Sequence, residues 1–135
     1  MTQPAHGTFQ VNIIPQPSEE KPEGLTPLGR MLIEKQFHGD LVATSRGQML
    51  TGMTEVKGSG VYVAVERVTG SLHGRNGSFI LHHLGLMVRG VPQLTVSVVP
   101  DSGTGEFAGI TGTMNIIIAD GKHSYDFAYT LPPQS

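Results

Sequence analysis

Glu66 and His83 are ionisable residues set within apolar alternation, where a carboxylate or an imidazole could hold a ligand or move a proton. Glu66 lies in "VYVAVERVTG" and His83 in "GSFILHHLG". Between them stands Asn76-Gly77, a strong signal for a two-residue type I′ hairpin turn. That turn pairs Arg75 with Ser78. Gly74 then faces Phe79, Leu72 faces Leu81, Gly70 faces His83 and Val68 faces Gly85. Phe79, Leu81 and Leu72 share a face, which is therefore the interior. In this register Gly70 and Gly85 leave space beside His83, so His83 borders a cavity. Glu66 is on the same face but four residues from Gly70, roughly 13 Å along the strand at ~3.3 Å per residue. The expectation is two polar levels of one lumen, without a direct Glu66–His83 pair. Tyr62 shares the face of Glu66. The lumen candidates are Glu66, His83, Tyr62, Phe79, Gly70 and Gly85.

A blander reading stands beside this one. An inward histidine is often just a core residue with a hydrogen-bond partner. An inward glutamate is rarer, because a buried carboxylate without partners is costly. It is either satisfied by a cluster or functional.

Other chemistries find little support. His82 and His83 are adjacent and point to opposite faces of a strand, so they cannot share a metal. His38 and Asp40 have an acceptable spacing, but no third ligand is apparent. The chain has no cysteine, which removes disulfides and thiolate metal sites. "SGTGEFAG" resembles a phosphate loop only in glycine content; it lacks the lysine and the following helix. No G-x-S-x-G nucleophile elbow occurs. Neither a metal nor a cofactor is expected. Met49, Met53, Met87 and Met114 suit an adaptable apolar lining or, more simply, core packing.

The elements that position these residues are strands. Phe9, Val11 and Ile13 alternate with polar neighbours in a half-buried first strand. Pro15 to Pro27 is a proline-rich surface loop. Six further strands follow up to Ile118, and Tyr125, Phe127, Tyr129 and Leu131 share a face of the last. The 18 glycines are spread along the chain as punctuation between short runs. The fold class is all-β, with residues 1–135 forming a single closed antiparallel meander barrel of about eight strands. Closure leaves no exposed edge.

"HGTFQV", "FHGDLVATSRGQML", "YVAVERVTGSLHGRNGSFILHHLG" and "VVPDSGTGEFAGITG" together resemble a bacterial family of small proteins, domain-of-unknown-function family 3224. The resemblance runs from His6 to Leu131. It implies an eight-stranded barrel of the allene oxide cyclase type. The more distant dirigent proteins share a Gly-x-Gly-x-Phe pattern, matched here by Gly103, Gly105 and Phe107. Such relatives bind hydrophobic or phenolic intermediates in the lumen, steer cyclisation or coupling by confinement, and often form oligomers. The resemblance carries over no catalytic residue, because fold does not carry function.

A small-molecule binding barrel with an apolar lumen for a hydrophobic or aromatic ligand is the first expectation. An isomerase or cyclase using confinement and proton transfer by Glu66 or His83 is the second. A structural or protein-interaction barrel without ligand is the third. The formal charge of −2 without a basic run argues against nucleic acid. No apolar stretch reaches the ~18 residues of a membrane helix, and "MTQPAHGTFQ" lacks the pattern of a signal peptide. A cytoplasmic location is the expectation. Ile80, Leu84 and Leu86 form a second apolar face on the fifth strand. Covering it calls for a homo-oligomer, most simply a two-fold dimer.

Overall fold

A computed structural model describes residues 2–17, 24, 26 and 28–133. Most of the loop expected between Pro15 and Pro27 lies outside the described residues. The strands are β1 (Gln3–Pro15), β2 (Leu28–Gly39), β3 (Leu41–Met53), β4 (Gly60–Leu72) and β5 (Arg75–Val88). They continue as β6 (Val91–Val98), β7 (Thr104–Gly105), β8 (Thr111–Ala119) and β9 (Lys122–Thr130). No helix forms among the described residues. None is therefore long and apolar enough to cross a membrane.

Eight strands close an antiparallel barrel in the order β4-β3-β2-β1-β9-β8-β6-β5, with β5 returning to β4. The ninth, β7, is a two-residue strand outside the cycle, paired with Gly77 and Ser78 of β5. Alternation in the sequence decides which side chains enter the lumen. On β4 these are Tyr62, Ala64, Glu66, Val68 and Leu72; on β5 they are Phe79, Leu81, His83 and Gly85.

The lumen is filled at one end. Phe79 stacks on Phe127 with centroids 5.7 Å apart and meets Phe107 edge-on at 5.5 Å. Leu41, Leu72, Tyr125 and Tyr129 complete this core, each no more than 1% exposed. The segment "SGTGEFAGITG" is its plug. It turns through β7 and inserts Phe107 and Ile110 into the core. Ser102 Oγ accepts from the Ile80 N–H at 3.0 Å and anchors the start of the segment.

The β4–β5 hairpin corrects the expected register. The turn is His73-Gly74, with φ of 50° and 81°, and not Asn76-Gly77. Leu72 pairs with Arg75, Gly70 with Gly77, Ala64 with His83 and Tyr62 with Gly85. The β4 partner of His83 thus moves six residues, from Gly70 to Ala64. The shift is even, so every side chain keeps its face. Tertiary contacts outweigh the local preference. His73 donates its N–H to the Asp40 carbonyl at 3.1 Å, and its Nδ1 bonds the Tyr129 hydroxyl at 2.5 Å. Gly77 is needed inside the strand, because a Cβ there would lie 2.1 Å from the Thr104 carbonyl oxygen of β7.

Candidate functional site

The new register brings together what the sequence reading kept apart. Glu66 lies diagonally beside His83, and His83 Nε2 is 2.6 Å from Glu66 Oε2. Lys35, on β2, donates to the same oxygen from 2.8 Å. Lys35 reaches across β3 at the level of Gly47, which pairs with Ile33 on one side and Glu66 on the other. Gly47 is what lets the strands close there. A Cβ would lie 2.6 Å from Glu66 Cα and 2.7 Å from Glu66 Cβ. The Lys35 ammonium also sits over two aromatic rings, 5.1 Å from the Phe9 centroid and 5.9 Å from that of Phe37.

All three groups are buried; Glu66 is 0% exposed. Burial works against its charged form. The His83 hydrogen bond and the Lys35 charge outweigh that penalty and hold its carboxyl down at about 2. Glu66 is therefore an anion at neutral pH. Its second oxygen, Oε1, is buried without a hydrogen-bond partner among the described residues.

Above this cluster the lumen opens. A cavity of about 490 Å³ is lined by apolar side chains that include Val11, Ile13, Ile33, Met49, Ile116 and Leu94. Lys35 and His83 are on its wall, while Glu66 lies behind them. Tyr62 also lines it, and Gly85 makes room for the Tyr62 ring. A Cβ at Gly85 would stand 2.2 Å from Tyr62 Cε1. Burial, reinforced by the Glu66 charge, pushes the Tyr62 phenol up.

The sequence candidates therefore divide. His83, Tyr62 and Gly85 are on the cavity wall, and Glu66 anchors the cluster beneath it. Phe79 is inside the filled core, and Gly70 faces Gly77 near the plugged end, so neither meets the cavity. Glycine space was expected to surround His83; instead Ala64 opposes it and the Tyr62 ring fills the gap at Gly85. Met49, Met53 and Met87 line the cavity, whereas Met114 packs in the core. Lys35 was missed. Its signal was its shared face with Ile33 and Phe37, a lysine where alternation demands an inward residue.

Fold and site together define a small up-and-down β-barrel, plugged at one end and open at the other onto a buried lysine–glutamate–histidine cluster. The chain belongs to the family described as protein of unknown function, DUF3224, whose model matches residues 5–129. It is similar to a crystal structure from that family, a protein of unknown function from Shewanella oneidensis MR-1. The two share 45% identity at a TM-score of 0.93, over 99% of this chain and 100% of the other. No curated protein matches the chain.

Proposed function

We propose that the protein binds a small hydrophobic or aromatic molecule in the open half of its barrel. The observation that carries this reading is the apolar cavity of about 490 Å³ ending on Lys35 and His83. Natural ligand pockets combine mostly apolar walls with a few placed polar groups in this way. Eight strands in up-and-down order also support the likeness to allene oxide cyclase-type barrels. The test is thermal shift with small ring compounds, 2-tetralone and 2-naphthol, on wild type and Ile116→Trp. Saturable stabilisation of wild type that is lost when the indole fills the cavity supports the reading. Absence of saturable binding by either compound to wild type overturns it.

A second copy of the chain is the proposed partner for the outer face. Leu84 and Leu86 are 42% and 40% exposed, while Ile80 is half-buried. Leu84 pairs with Val63, which pairs with Leu50; Leu86 pairs with Val61. The exposed apolar residues thus form one stripe over three adjacent strands, a surface suited to burial between copies.

A further inference from the structure

Glu66 decides which nitrogen of His83 is basic. An ionised carboxylate can only accept, so His83 Nε2 must carry the hydrogen it donates. In the neutral ring the lone pair then resides on Nδ1. No described residue bonds Nδ1. Lys35, whose ammonium shares the same carboxylate oxygen, lines the same cavity. A base and a cationic donor are therefore held side by side at the end of an otherwise apolar chamber. The other titratable groups on that wall are Tyr62 and His123.

We propose that the chamber accepts an apolar ketone with an enolisable C–H, and that His83 Nδ1 removes the proton next to the carbonyl. This rests on reading the cavity as a ligand site. The C–H bond breaks and its electron pair forms a C=C bond to the carbonyl carbon. The carbonyl π pair moves onto oxygen, and the proton goes to Nδ1. Lys35 donates a hydrogen bond to the enolate oxygen, while Glu66 balances the imidazolium. When the Nδ1 proton trades with solvent before one returns to the same carbon, the hydrogen at that carbon is exchanged. In a conjugated enolate, return to the remote carbon shifts the double bond. The step needs no oxidant and no second reactant. A neutral carbonyl head also suits the charge balance, since Lys35 and Glu66 already cancel and an anionic ligand would add an unpaired buried charge. His83 and Lys35 would touch substrate; Glu66 is a positioning residue.

The experiment follows loss of the C1 hydrogens of 2-tetralone in D2O by proton NMR, with saturable binding measured in parallel by thermal shift. Wild type is expected to exchange them about a hundredfold faster than equimolar imidazole. His83→Phe should fall to the imidazole background and Lys35→Met should slow exchange at least about tenfold, a part of the general-catalysis factor. Glu66→Gln should slow exchange and move the rising limb of the pH–rate profile to lower pH; where it does not fold, Lys35→Met/Glu66→Gln should show the same two changes relative to Lys35→Met. A purely structural Glu66 would leave that limb in place. Binding without exchange above background overturns the proton transfer and leaves the ligand site standing; no binding overturns both. Exchange that persists in His83→Phe, or a 15N spectrum of wild type showing the Nδ1–H tautomer, also overturns the assignment.

Discussion

The plugged and open halves of the barrel are cut from the same strands, yet one is solid and the other hollow. In the plugged half the inward positions of β4, β5 and β9 hold Leu72, Phe79, Phe127 and Tyr129, and β7 brings Phe107 beneath them. In the open half the same strands contribute Tyr62, His83 and His123, beside Val11, Ile116 and Met49 from their neighbours. Aromatic rings meeting across a lumen fill it; the shorter aliphatic side chains of the open half leave its centre free. The Lys35–Glu66–His83 cluster stands at the boundary, where the plugged half excludes water from Glu66 while the open half gives access to His83. A barrel can thus divide stability from function along its axis, keeping the charged cluster at the junction.

The strongest test of that division is a pair of truncations. Phe79→Ala should cost about 3–5 kcal/mol, since it empties a fully buried site. Ile116→Ala, on the cavity wall and only half-buried against the core, should cost less, about 1–2 kcal/mol. Urea unfolding measures both, and equal losses would break the comparison.

Next in size is the boundary itself. Lys35→Met should destabilise by about 3 kcal/mol, because it strips a buried carboxylate of its cation. Lys35→Met/Glu66→Gln should recover most of that loss. If the double variant is no more stable than the single one, the lysine matters for packing and not for charge.

The pH dependence follows from the same carboxylate. Its pKa is depressed in the folded chain, to about 2 from an ordinary value of 4.5. Its contribution is fully present above the unfolded value and is lost as pH falls from about 4.5 through about 2. Denaturant midpoints measured across that window should fall less steeply in Lys35→Met/Glu66→Gln than in wild type. Identical slopes would mean other carboxylates carry the acid sensitivity.

Gly85→Ala sharpens the picture of the open half. The new methyl must displace the Tyr62 ring, at a stability cost of about 1 kcal/mol. The ring should swing into the cavity and weaken 2-tetralone binding, read by thermal shift. Unchanged binding would show that Tyr62 does not border the occupied space.

Smallest in folding energy is the outer face. Leu84→Lys should change monomer stability by less than about 0.5 kcal/mol, as an exposed site does. It should nevertheless convert a sedimenting dimer to monomer. Wild type that sediments as a monomer at micromolar concentration would remove the second copy as partner.

Alternation along the chain determined the fold class, the run of strands and the inward face of Glu66, His83, Tyr62 and Phe79, because a strand repeats every two residues whatever it packs against. That face survived even a six-residue error in register, since an even shift preserves it. Tertiary structure decided the register, and with it the site. The Asn76-Gly77 dipeptide carries the stronger local turn signal. His73-Gly74 turns instead, held by Asp40, by Tyr129 and by the approach of β7 to Gly77. These partners lie far away in sequence, so no local pattern reports them. The same limit hid Lys35: its inward face was legible, but its reach over Gly47 to Glu66 exists only once β2, β3 and β4 stand side by side.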